Sequence, residues 1–267
     1  MIARAPAPGR IGGVLGDAVR LYRASFARCL PVALVGALFG AAAGWYPMLR
    51  MNGLKDTPAT LAGAMQAMAQ LQAMARAPGV WGSYGAAALI WLMVRGALLA
   101  RQSAVASGRL DTFGSALAFA LRRLPGMVLG ALIWIAATGV GTLLLVIPGM
   151  WLGGQLQLWM VAMFAEDIGA LRSLGRSWQL IEGNWWRTST IVSITVLLTL
   201  VPSLFEGAGA TIAIAVFRSP AATALIDMQL LSLLISVFTM PMVTVVMLAI
   251  YRDLTINREP AAGAGAL

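Results

Sequence analysis

Long uncharged apolar runs alternate along this chain with short segments that hold nearly all of its charge. A helix needs roughly 20 residues to cross about 30 Å of hydrocarbon, so each run can be weighed as a membrane span. Residues 29–49 are 21 uncharged positions between Arg28 and Arg50 and predict the first span. Residues 80–100 predict the second, with Arg95 near its end. Residues 124–165 form 42 consecutive positions without a charge, room for two spans. Pro148-Gly149 interrupts that run, since proline lacks the helical donor and glycine tolerates turn geometry. The run therefore predicts a hairpin of spans at 125–147 and 150–165. Residues 188–205 predict the fifth span. Ser219-Pro220 reads as an N-cap followed by proline at the first helical position. The last helix then reaches Ile250, crosses over 228–250 and kinks at Pro241. Residues 259–267, rich in alanine and glycine, predict a disordered tail, and 1–258 a single polytopic domain.

Three segments carry a one-sided pattern instead. In 11–28, Ile11, Val14, Leu15, Ala18, Tyr22 and Phe26 recur at helical spacing, with Asp17, Arg20 and Arg23 opposite. In 168–185 the stripe is Ile168, Leu171, Leu174, Trp178, Ile181 and Trp185, and the other face carries Arg172, Arg176 and Gln179. Both predict interfacial helices with arginines toward lipid phosphates and tryptophans at the boundary. In the third, between Thr57 and Arg76, Leu61, Met65, Met68 and Leu71 share a face. The sequences Leu21-Tyr22-x-x-x-Phe26-x-Arg28 and Leu180-Ile181-x-x-x-Trp185-x-Arg187 match loosely, and 111–123 offers a third version. Chance similarity of common residues competes with an internal repeat, in which each of three units would be an inner surface helix followed by two spans. The fold class expected is an all-α membrane protein with six transmembrane helices.

Charge placement orients the spans. With an internal N-terminus, Arg50, Lys55, Arg76 and Arg218 fall outside, leaving fifteen of the 19 basic residues inside. The positive-inside rule favours that threading, with both termini cytoplasmic and the phospholipid bilayer as the main partner. Residues 1–10 lack an apolar stretch of the kind a cleavable signal needs. The composition agrees: 60% of residues are hydrophobic and 11% charged, against roughly 25% charged in soluble domains. The net charge of +9 is spread between apolar runs, so it speaks for topology rather than nucleic acid. Histidine is absent and Cys29 is alone, which excludes histidine-based metal sites, Ser-His-Asp and Cys-His catalysis and an intrachain disulfide. No phosphate-cradling glycine motif is present, and no cofactor is expected.

Ile147-Pro148-Gly149, then Glu166, Ser177-Trp178-x-Leu180 and Gly183-x-Trp185-Trp186-Arg187, followed by Tyr251-x-Asp253-Leu254-x-x-x-Arg258-Glu259, form a series of short motifs. With them the chain resembles an uncharacterised bacterial group, the YciC-like integral membrane proteins. It is also similar to the membrane region fused to some glycerophosphodiester phosphodiesterases. Thr255 and Asn257 depart from the group, which tends to place more basic residues there. The resemblance implies six helices in a bacterial inner membrane and no established activity, and it carries no catalytic residues over.

Several residues are candidates for function. Arg172, Arg176, Trp178, Trp185, Trp186 and Arg187 could contact lipid or a membrane protein partner, although an interfacial helix with ordinary end effects explains them too. Asp253, with Arg252 and Arg258, could clasp neighbouring helix ends such as Arg187 or Arg123. Asp227, Gln155 and Arg95 are polar groups at membrane depth; a solvated outer position, a helix–helix contact and a snorkelling anchor are their respective simpler roles. The expected function is non-enzymatic, through lipid or protein contacts in envelope maintenance. The rival is a small transporter or permease-like subunit, suggested by Asp227, Pro202, Pro241 and the repeat.

Overall fold

The computed structural model describes the backbone of residues 11–51, 76–109, 111–215 and 221–263, with a few positions between 65 and 73. Among these the chain is helical in eight elements: α1 (Ile11–Met51), α2 (Pro78–Ala106), α3 (Phe113–Leu144), α4 (Val146–Leu156), α5 (Trp159–Ala165), α6 (Ala170–Ile181), α7 (Trp185–Ala215) and α8 (Ala221–Gly263). The amphipathic stretch between Thr57 and Arg76 lies almost wholly outside the described residues.

Four described stretches are long and apolar enough to cross a membrane: Ile11–Ala42, Pro78–Ala106, Phe113–Leu144 and Leu230–Ile256. Large apolar side chains remain uncovered on them and on the turns between them; Leu143 is 88% exposed and Ile147 80%. Water would not tolerate an apolar surface of that extent, and lipid does. The described apolar part of the fifth expected span, Trp185–Val201, is shorter.

The fourth expected span differs. Residues 150–165 are divided between α4 and α5, with the break at Gln157 and Leu158. At about 1.5 Å per residue, neither piece alone crosses a bilayer. The Ser177 hydroxyl on α6 bridges the break, donating to the Gln155 carbonyl at 2.9 Å and accepting the Leu158 N–H at 3.1 Å. Backbone groups that continuous helix would have paired are thus satisfied by a side chain distant in sequence.

The turn before α4 also shifts. The chain reverses at Leu145, which is extended at φ −162° and ψ 143°. Pro148 and Gly149 sit inside the first turn of α4, where proline costs no helical donor. Gly149 instead permits close approach: a Cβ there would lie 2.1 Å from Thr142 Oγ1 and 2.6 Å from the Thr142 nitrogen on α3.

The segment read as an interfacial helix, 11–28, is continuous with the first span as α1, and 111–123 likewise leads into α3, whose N-cap is Thr112. Only the version at 180–187 breaks, at Glu182–Asn184, where Gly183 takes φ 81° to end α6. The three stretches thus do not share one local geometry. At the far end α8 runs through Gly263, five residues into the stretch read as a disordered tail.

Pro241 lies within α8, as expected, and other helices supply donors beside it. Tyr22 Oη donates to the Phe238 carbonyl at 3.1 Å, and Gln102 Nε2 to the Pro241 carbonyl at 2.9 Å. Such donors offset the hydrogen bond that a proline removes from a membrane helix. The main core gathers Met127, Leu158, Met163, Leu180, Ile181, Ile191, Val245 and Ile250, so α3, α5, α6, α7 and α8 converge on it.

Candidate functional site

Three acidic residues tie one end of the bundle together. Glu166, at the end of α5, accepts from Arg176 Nε on α6 and from Tyr251 Oη on α8, each at 2.6 Å. Asp167 beside it, at φ 55°, pairs with Arg123 of α3, which also donates to the Ile168 carbonyl at 3.1 Å. Asp253 of α8 meets Arg187 of α7 at 2.5 Å. The clasp expected of Asp253 is therefore formed with Arg187, whereas Arg123 goes to Asp167. The Arg252 guanidinium has no ion pair or hydrogen bond among the described residues. The side chain of Arg258 lies outside them.

α6 packs on this end of the bundle, and its buried face keeps Leu174 and Ile181 of the stripe read from the pattern but also takes in Ser173 and Ser177 and leaves Leu171 out. Ala170, Ser173, Leu174, Ser177, Leu180 and Ile181 are buried, while Leu171 is 69% exposed. The small serines were assigned to no face by hydrophobicity, yet they fit closest because their hydroxyls find carbonyls: Ser173 to Ala170 and Ser177 to Gln155. Arg176 is spent on Glu166. Arg172 stays exposed. Trp178 meets Trp151 edge-on at 5.1 Å, and Trp185 donates from Nε1 to the Trp151 carbonyl at 3.2 Å. Trp186 stacks edge-on against Trp185 and is itself 80% exposed. The six residues singled out on this segment thus divide. Arg176, Trp178, Trp185 and Arg187 hold the bundle, and Arg172 and Trp186 face outward.

A cavity of about 390 Å³ opens between α2, α3, α4, α5, α7 and α8. Its lining includes Trp91, Trp134 and Trp159, with Arg95, Gln157 and Thr244 as its polar side chains. Two lining residues are well exposed at its rim, Trp91 at 44% and Ile135 at 57%. Counted along the helices at about 1.5 Å per residue, Ala131, Val192, Thr244 and Gln157 lie roughly 8 to 13 Å from Arg123, Arg187, Tyr251 and Glu166. The cavity is therefore within hydrocarbon reach of the ionic end.

Arg95 does not extend as a snorkelling anchor would. Its guanidinium lies 4.5 Å from the centre of the Trp91 ring, one turn back along α2, and it has no hydrogen bond or ion pair among the described residues. Gln155, the other interior polar candidate, is buried with its Oε1 unpaired and lies outside the cavity lining. Asp227 falls on the backbone of α8, and its side chain is outside the described residues.

Two interior groups were missed. Arg101 is 7% exposed with Nε and Nη1 unpaired, and Gln102 is fully buried beside it. In the sequence they directly follow the second apolar run, and only helix packing brings them inside. The remaining cavity residues come from six helices, so no spacing along the chain could group them.

No family model, curated protein or solved structure matches the chain. The described residues define an all-helical membrane protein with at least four helices of spanning length and apolarity.

Proposed function

We propose that the chain is a non-enzymatic, multi-pass protein of the bacterial inner membrane, with both ends cytoplasmic. It works through lipid or membrane-protein contacts in envelope maintenance, and is related to the YciC-like group by the motifs quoted above. The observation that carries this reading is the exposure of Arg172 on α6 and of Trp186 on α7, two helices that the ionic layer holds through Arg176 and Arg187. Exposed cations and indoles suit a headgroup region, where the ring sits at the boundary and the charge meets phosphate. The test is the double variant Arg172→Gln, Trp186→Ala, purified in mild detergent and compared by native mass spectrometry for retained phosphatidylglycerol and for co-purifying proteins. Both should fall. If neither changes, Arg172 and Trp186 are not the contact surface.

A second reading, a small transporter or permease-like subunit, is favoured by the cavity and by Asp227 within α8. Proton flux in proteoliposomes that Asp227→Asn abolishes would support it over the first.

A further inference from the structure

A guanidinium inside hydrocarbon is costly unless something negative or strongly accepting meets it, and such residues mark binding sites in membrane proteins. Among the described residues Arg95 meets only the Trp91 ring. A cation over an aromatic face is held weakly, and the contact leaves all of its N–H donors unused. Gln157 adds a second unused donor, since its buried Nε2 has no partner. Both residues line the same cavity, whose other walls are three indoles, aliphatic and methionine side chains, and Thr244, whose hydroxyl already donates to the Met240 and Pro241 carbonyls. Its volume of about 390 Å³ falls within the range typical of small-ligand sites. Among the described residues no acidic side chain lines it, so none of them neutralises Arg95.

We infer that this cavity holds an anionic phospholipid, with its phosphate on Arg95 and Gln157 and one acyl chain among Trp91, Trp134 and Trp159. Three features select this occupant. Two unused donors open onto one cavity whose remaining lining is mostly apolar, which matches a molecule with one charged end. The guanidinium fork donates to two phosphate oxygens at once, a pairing stronger than a neutral hydrogen bond. Trp91 and Ile135, the exposed members of the lining, lie on helices of spanning length, so an occupant reaches the cavity from the bilayer rather than from water. Arginine draws phosphates and water inward at such depths, so the headgroup need not stay at the surface. The site is separate from Arg172 and Trp186, and its fate does not depend on their role.

The test uses the full chain in nanodiscs and reads tryptophan fluorescence. Phosphatidylglycerol brominated on its acyl chain is compared with equally brominated phosphatidylcholine, each diluted into unlabelled phosphatidylcholine. The brominated anionic lipid should quench at a lower mole fraction than the zwitterionic one. Arg95→Gln should raise that mole fraction about tenfold, the loss expected for a charge-assisted hydrogen bond, and Arg95→Lys should restore part of the preference. Inorganic phosphate at constant ionic strength should leave the quenching unchanged, because it supplies no chain. Equal quenching by the two lipids in the unmodified protein would overturn the proposal, and that comparison needs no variant to fold. So would an Arg95→Gln protein that keeps the preference, or displacement by inorganic phosphate, which would make the site one for a soluble anion.

Discussion

The contact between Gly149 and Thr142 offers the sharpest test of the α3–α4 hairpin. In Gly149→Ala the new methyl would sit 2.1 Å from Thr142 Oγ1, and that hydroxyl can rotate away. The same methyl would also sit 2.6 Å from the Thr142 nitrogen and 2.7 Å from its Cα, and backbone cannot rotate away. The helices would have to separate, which also loosens the neighbouring approach of Gly141 to the Gly149 Cα. Overpacking of this kind costs about 1 to 3 kcal/mol, and contact with backbone places it at the upper end, about 3. Alanine inside a helix recovers about 1 kcal/mol relative to glycine. The net expectation is a loss of about 2 kcal/mol. Gly139→Ala on α3 is the control: nothing lies within 4 Å of its Cβ, so only the helical gain should remain. Thermal unfolding in detergent, followed by tryptophan fluorescence, separates the two. If Gly149→Ala unfolds at or above the parent temperature while the control behaves as expected, the hairpin is not closed at Leu145 as described.

Two further outcomes follow from the packing. Tyr251→Phe removes one hydroxyl from Glu166 and leaves the ring in place; combined with Glu166→Gln in a double-mutant cycle, it should show a coupling of about 1 kcal/mol, and strict additivity would show that the α5–α8 tie does not form. Cys29 is fully buried, so a membrane-permeant maleimide should label it only after denaturation, and rapid labelling of the native protein would contradict the packing around α1.

Lipid as the surrounding solvent was legible from the sequence because span length and charge exclusion are properties of single segments. Uncharged runs of 21 and 42 residues need hydrocarbon whatever their neighbours do. The place of Pro241 inside the last helix and the pairing of Asp253 were legible for the same reason, the first resting on local backbone chemistry and the second on a charge seeking its opposite. Whether 150–165 makes one helix or two depended on Ser177, a side chain on α6 that satisfies the break. The buried face of α6 turned on serines, which hydrophobicity alone cannot assign to an interior. Arg95 stood out in the sequence as an intramembrane charge, but its cavity is assembled from six helices and exists only once they pack. Local patterns determine which segments enter lipid. The places where polar groups stay paired, or stay unpaired and available, depend on contacts between segments far apart in the chain.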